Sequence, residues 1–456
     1  MNNFVLLRLE TSKIGTTVYL LLLPAVLEVF LFVFQIFVYF CGSKAEGKTI
    51  GAMCAMSFSF GFSYSFFSFI YFILFSTIIV TLFYANKNLE ITSFFRNQNI
   101  RSTIYEQYYV NPKEVTITAD EKTKNIIYIY LEGMETSFSS RNEGGYQDEN
   151  LISNLETLAE HNLNFSFDEN VGGFNAPSKT DFTIAAIFSS ESGAGYNFPV
   201  GNHMNPDLPF ADNIVTLGDV LKLHGYNQEF LCGSDARFAA RNSFFQTHGN
   251  FSIYDYYSAV NDGYTDDYVW WGLEDRLLYE IAKDRITMLA SKGEPFNFTM
   301  LTVDTHHKEG YMCELCENKY DLQFKNVIEC ADRQLLYFIE WIQEQDFYDN
   351  TMIVISGDHP TMDGSLVNGI PYENRYVYNC FINSSQSSLH CKNRKFNTFD
   401  MFPTILSGLG FIIDGDRLGL GTNLFSGKKT LQENLGYEYI NSELSKRSNY
   451  FEENFY

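Results

Sequence analysis

"NIIYIYLE", Asn125 to Glu132, is an unbroken apolar run that ends on a carboxylate. It lacks the polar alternation of a half-exposed strand, so it reads as a strand buried on both faces, the habit of parallel sheets. Three later runs repeat the pattern: "YNQEFLCG" (Tyr226 to Gly233), "FNFTMLTVD" (Phe296 to Asp304) and "TMIVISGDH" (Thr351 to His359). Helix-like segments lie between them, including "NLISNLETLAEHN", "VTLGDVLKLHG" and "CADRQLLYFIEWIQEQ". Strands alternating with helices predict an α/β domain with a largely parallel sheet flanked by helices.

In an open α/β sheet, ligands bind in the crevice beyond the carboxyl ends of the strands. Each run delivers polar residues to that rim. Glu132 ends the first; Ser234, Asp235 and Arg241 follow the second; Asp304 and His306 the third; Asp358 and His359 the fourth. A single Asp-His after a strand is an ordinary turn. Four such endings together are not explained by turns.

Glu132, Asp358 and His359 form a donor set suited to one divalent cation, Mn²⁺, Mg²⁺ or Zn²⁺. "SKTDFTIAAIFSS" (Ser178 to Ser190) adds Thr180 ahead of an apolar helical run. The plain reading of Thr180 is a helix N-cap. The chemical reading is a hydroxyl acidified by the metal and favoured as an alkoxide by the positive end of the helix. Arg241, in "SDARFAARNSFFQTHG", suits a bidentate clamp on a phosphodiester. His306, in "TVDTHHKEG", is placed to stabilise phosphate oxygens or pass a proton to a leaving alkoxide. Arg237 and His307 are second choices for substrate contact, each equally readable as a solvated loop residue.

The chain has 456 residues and a formal net charge of -23, which argues against a nucleic-acid partner. Its first 85 or so residues are mostly apolar. Thr16 to Gly42 is long enough to cross a hydrocarbon core of roughly 30 Å, and Gly51 to Ala85 supplies a second span. The expected organisation is a membrane anchor over 1–86 with two spans and at most three, a linker over 87–124, a catalytic domain over 125–430 and a tail over 431–456. Six of the eight cysteines fall in the polar part. They read as disulfides of an extracytoplasmic domain, with Cys316–Cys330 and Cys380–Cys391 as the expected pairs. The rival is a zinc site around "CELC", which lacks a second CxxC and has few histidines nearby.

The stretches "NIIYIYLEGMET", "KTDFTIAAI", "LGDVLKLHGYNQEFLCGSD", "NFTMLTVDTHHKEGY", "IVISGDHPTMD" and "DRLGLGTNLFS" resemble one family in its order. That family is the phosphoglycerol transferase and lipoteichoic-acid-synthase branch of the alkaline phosphatase/sulfatase superfamily. The resemblance covers most of Tyr108 to Gly427. It implies that Glu132, Thr180, Asp358 and His359 ligate the metal, with Mn²⁺ the expected ion, and that Thr180 is the nucleophile. It implies that Arg241 and His306 contact the substrate phosphate. The C/S-x-P-x-R motif of true sulfatases is absent from the sequence, which argues against sulfate ester hydrolysis. The expected reaction moves glycerol phosphate from phosphatidylglycerol, through a phospho-threonine, to an envelope glycan or glycerol-phosphate acceptor at a bacterial cell membrane. Phosphoethanolamine transfer and a catalytically silent envelope-interaction protein are the competing expectations.

Overall fold

The computed structural model describes residues 67, 70–71, 73–89, 91–92, 100–119, 124–198, 205–387 and 390–455. The chain divides into two compact units, Met1–Arg96 and Asn97–Tyr456. In the first, residues 73–89 are helical, and Phe75, Leu82 and Phe83 are exposed. No helix among the described residues is long and apolar enough to cross a membrane. The stretch Thr16 to Gly42, and most of Gly51 to Ala85 ahead of that helix, lie outside the described residues.

The second unit is built on a seven-stranded sheet. Its strands in chain order are β1 (Asn125–Leu131), β2 (Gly173–Phe174), β3 (Asn227–Cys232), β4 (Ser252–Tyr254), β5 (Phe296–Leu301), β6 (Thr351–Gly357) and β7 (Val377–Ile382). They lie side by side in the order β2-β7-β6-β1-β5-β3-β4. From β6 to β4 every neighbour is parallel, whereas β7 runs antiparallel to both β6 and β2. The sheet is therefore mixed, with a parallel centre and one reversed strand near an edge.

Strand β1 shows why the unbroken apolar run was needed. Ile126, Tyr128 and Tyr130 pack into the core on one face, and Ile127, Ile129 and Leu131 into the core on the other. The first face is covered by α2 (Thr183–Ser192), α3 (Leu217–Leu223), α4 (Arg241–Thr247) and α7 (Met401–Leu409). The second is covered by α1 (Ser153–His161), α5 (Asp275–Ala290) and α6 (Gln323–Gln343). Each large side chain buried this way contributes about 1.5–3 kcal/mol, which makes the central strand the most strongly specified part of the fold.

From Asn97 onward the expected linker, like the expected tail, lies in the second unit. Arg101–Ser102 pairs in parallel with Arg447–Ser448, and Ile117–Ala119 pairs antiparallel with Phe411–Ile413. Tyr105 is buried with its ring against Phe451 and Phe455. The cause is a handful of isolated aromatic residues. They are too sparse to make a periodic signal but apolar enough to close the core.

The expected Cys380–Cys391 bridge does not form. Cys380 is a buried thiol whose sulfur lies 3.6 Å from the Leu158 carbonyl. Cys316 and Cys330 are not an isolated pair either, because Cys313 lies between them, 3.6 Å and 3.9 Å from their sulfurs.

Candidate active site

Parallel pairing in register brings the first residues together. Leu131 of β1 stands opposite Gly357 of β6, so the next residues, Glu132 and Asp358, leave the sheet side by side. Small residues make that exit possible. A Cβ on Gly357 would lie 2.0 Å from the Met134 carbonyl, and Gly133 has a φ of +61° that L side chains rarely adopt. The Gly133 N–H donates to Asp358 Oδ1 at 2.8 Å, and the His359 N–H donates to the same oxygen at 2.7 Å. From β5, Thr302 Oγ1 accepts the Glu132 N–H at 3.1 Å, and Thr305 Oγ1 donates to the Glu132 carbonyl at 2.6 Å. Behind them Arg375 ion-pairs with Glu135 in the interior and donates to the Thr361 carbonyl at 2.6 Å, fixing the loop after His359.

Glu132, Asp358 and His359 are all buried, and one ligand atom from each lies within 4.8 Å of the others. His359 Nε2 is 3.4 Å from Asp358 Oδ2 and 3.6 Å from Glu132 Oε1. His359 Nδ1 sits 2.9 Å from the Pro360 carbonyl, a partner that can only accept, so Nδ1 carries the proton. In the neutral ring Nε2 then presents a lone pair toward two carboxylates, an arrangement that suits a cation between them. Asp358 Oδ2 is buried and has no hydrogen-bond partner. Burial, with Glu132 close by, pushes the Asp358 carboxyl up to about 7. Burial draws the His359 imidazole down, but the carboxylates of Asp358 and Glu132 outweigh it and raise it. A divalent cation fits this donor set and relieves its crowding of negative charge.

Thr180 does not join the set. Its hydroxyl is fully buried and donates to the Pro177 carbonyl at 2.8 Å, with Thr398 Oγ1 donating to it from 3.3 Å. The residue at the site is Thr183. Its Oγ1 lies 3.3 Å from Glu132 Oε2 and 3.3 Å from His359 Nε2. The physical reason is a turn. Thr180 N–H donates to the Pro177 carbonyl and Lys179 takes a φ of 70°, so the helix starts two residues later than an N-cap at Thr180 implies. Thr180 is not the N-cap either; Phe182 occupies that position without a side-chain cap.

A small cavity opens beside Thr183, lined by Glu132, Ser234, Phe238, Arg241, Trp271 and His306 among others. Arg241 Nη2 donates to Ser234 Oγ at 2.8 Å and to the Asp235 carbonyl at 2.9 Å, which orients its guanidinium. Ala239 and Ala240, just before it, both have left-handed φ values, of 54° and 57°. Such strain costs on the order of 1 kcal/mol per residue and persists where the surroundings enforce it. His306 Nδ1 lies 2.8 Å from the His307 carbonyl, and its ring stacks on His307 at 4.6 Å and meets the Trp271 ring at 4.7 Å, tilted by 54°. Burial lowers the pKa of His306, which favours its neutral form.

The second-choice residues stand apart. His307 stacks behind His306, and Arg237 is on the surface, ion-paired with Asp207 at 2.9 Å. Thr183, Phe238 and Trp271 were not singled out from sequence. Position ahead of the apolar run was the available signal for Thr183, but Thr180 shared it.

A sulfatase family model matches residues 124–411. The chain belongs to the sulfatase family. Within reach of this family member, phosphoglycerol transferase I of Escherichia coli O139:H28 is 30% identical over 336 residues. The alignment covers 71% of this chain and 41% of that protein, so the chain spans about two-fifths of the length of the relatives it matches. Phosphoglycerol transferase I of Shigella boydii serotype 18 matches to the same extent. Among solved structures, an alkaline phosphatase superfamily protein from Vibrio parahaemolyticus aligns with a TM-score of 0.53 at 20% identity, covering 72% of this chain and 76% of that one. The lipoteichoic acid synthase LtaP from Listeria monocytogenes aligns with a TM-score of 0.52 at 17% identity, covering 69% and 79%. These two establish the likeness of fold.

Proposed function

We propose that this sulfatase-family chain is a metal-dependent phosphoglycerol transferase that works through a covalent intermediate on Thr183. The observation that carries the reading is the contact of Thr183 Oγ1 with both Glu132 and His359, on the wall of the cavity that also holds Arg241 and His306. The 30% identity to phosphoglycerol transferase I supports the choice of donor, phosphatidylglycerol.

Glu132, Asp358, His359 and Thr183 would hold the cation, for which we take Mn²⁺, with Mg²⁺ and Zn²⁺ as competitors. A bound divalent cation lowers the pKa of an attached hydroxyl and offsets charge building on a phosphate. Thr183 Oγ1 forms a bond to the donor phosphorus while the bond from phosphorus to the diacylglycerol oxygen breaks. Arg241 neutralises the phosphate, and His306 takes up the proton lost by the Thr183 hydroxyl and passes it to the departing oxygen. In the second half His306 removes the proton from an acceptor hydroxyl, which attacks the same phosphorus as the bond to Thr183 Oγ1 breaks, and returns that proton to Thr183 Oγ1. Phe238, exposed at the cavity mouth, and Trp271 offer apolar faces suited to stacking on a sugar ring. They favour an envelope glycan as acceptor over a glycerol-phosphate chain. The proposed setting is the bacterial cell membrane, with this domain outside the cytoplasm and the lipid donor within reach.

The test is a donor comparison. Membranes containing the full chain are given phosphatidylglycerol or phosphatidylethanolamine labelled in the headgroup. Label leaving phosphatidylglycerol with matching release of diacylglycerol is the expected result. Label leaving only phosphatidylethanolamine replaces the reading with phosphoethanolamine transfer, and release from neither lipid favours a silent envelope protein.

A further inference from the structure

Away from the cavity, three cysteines converge. Cys313 and Cys316 bracket a tight turn in which the Cys316 N–H donates to the Cys313 carbonyl at 3.1 Å. Cys330 comes from the second turn of α6 and faces them. The sulfur of Cys313 lies 3.6 Å from that of Cys316 and 3.9 Å from that of Cys330, and all three lie within 4.8 Å of one another. A disulfide needs its sulfurs at about 2.05 Å. Three thiolates around a tetrahedral zinc, each at about 2.3 Å, stand about 3.8 Å apart. The observed spacings match the second arrangement.

We propose that Cys313, Cys316 and Cys330 hold a zinc ion, in a site separate from the catalytic cation and independent of the proposed reaction. Three soft thiolates on a turn and a helix are a donor set for zinc, and poor ligands for Mn²⁺ or Mg²⁺. Gln334, one turn beyond Cys330, directs Nε2 at Cys330 and Cys313 sulfurs from 3.4 Å and 3.7 Å, the donor a thiolate wants. Arg333 braces the turn by donating to the Leu315 carbonyl at 2.7 Å. Cys313 and Cys330 are buried while Cys316 is partly exposed, so the cluster is reached from the Cys316 side. Binding releases the thiol protons and ties the segment that follows β5, which carries His306, to α6.

The full-length chain, purified under reducing conditions and stripped of metal, is titrated with Co²⁺ as a spectroscopic stand-in for zinc. Thiolate ligation gives an intense near-ultraviolet charge-transfer band that a carboxylate and imidazole site does not. The expected result is such a band, displaced by zinc, retained in Cys232→Ser and lost in Cys316→Ser. In the unaltered chain, where folding of a variant is not in question, zinc is expected to protect all three cysteines from iodoacetamide, and chelation to expose Cys316 first. The absence of the band from the reduced chain overturns the proposal. So does equal alkylation with and without zinc, or a disulfide between any two of the three in the freshly isolated protein.

Discussion

Thr183 Oγ1 lies 3.3 Å from His359 Nε2, although the two residues are 176 positions apart and come from different faces of the chemistry: a helix start and a strand end. The contact exists because β6 delivers His359 at the rim while the turn at Pro177 holds the start of α2 against it. It gives Thr183 and Thr180, three residues apart, different surroundings: one hydroxyl faces Glu132 and His359, the other the Pro177 carbonyl.

The two threonines therefore separate in a turnover assay. Thr183→Ala removes the oxygen that bonds to phosphorus and is expected to lower diacylglycerol release by about a thousandfold or more. Thr180→Ala removes two buried hydrogen bonds, to the Pro177 carbonyl and from Thr398 Oγ1, which costs about 1–3 kcal/mol of stability and leaves the rate within about threefold. Reversal of these two results returns the nucleophile to Thr180.

Metal content tests the donor set without reference to turnover. After stripping and reloading, the wild-type chain is expected to retain one Mn²⁺, and His359→Ala to lose it, while Thr180→Ala retains it. The imidazole is one of few ligands here, and its loss leaves Glu132 and Asp358 crowded with no soft-edged partner between them. Equal manganese in wild type and His359→Ala contradicts the site.

Much of this was written plainly in the sequence. Runs buried on both faces, such as Ile126 to Leu131 and Met352 to Ser356, declare central strands, and their in-register pairing carries Glu132 and Asp358 to one rim. What was not legible depended on tertiary detail. Two threonines preceded one apolar run, and only the Lys179 turn decides which of them begins the helix. Strand β7 carries the same apolar signal as a parallel strand, so its reversed direction is set by connections rather than composition. The thiols of Cys380 and Cys316 are equally plain as letters; one is buried against Leu158 and the other belongs to a cluster of three.

A buried acid gives the chain a pH-dependent stability. Glu191 lies buried in the last turn of α2, where burial pushes its carboxyl from 4.5 up to about 8, against a modest opposing hydrogen bond from Tyr130. Because the folded-state value is raised, this contribution is fully present below pH 4.5 and is lost as pH rises to about 8, by at most about 5 kcal/mol. Glu191→Gln is expected to flatten the fall in thermal midpoint between pH 5 and pH 8. An unchanged slope in that variant assigns the pH dependence to other groups.

The covalent intermediate is the central claim, and one measurement reaches it directly. The full chain is incubated with phosphatidylglycerol in the absence of acceptor, quenched in acid and mapped by peptide mass spectrometry with fragmentation across Ser178 to Ser190. The account predicts a glycerophosphate adduct on Thr183, absent from Thr183→Ala. An adduct on Thr180, or turnover of the lipid with no adduct on either threonine, contradicts it.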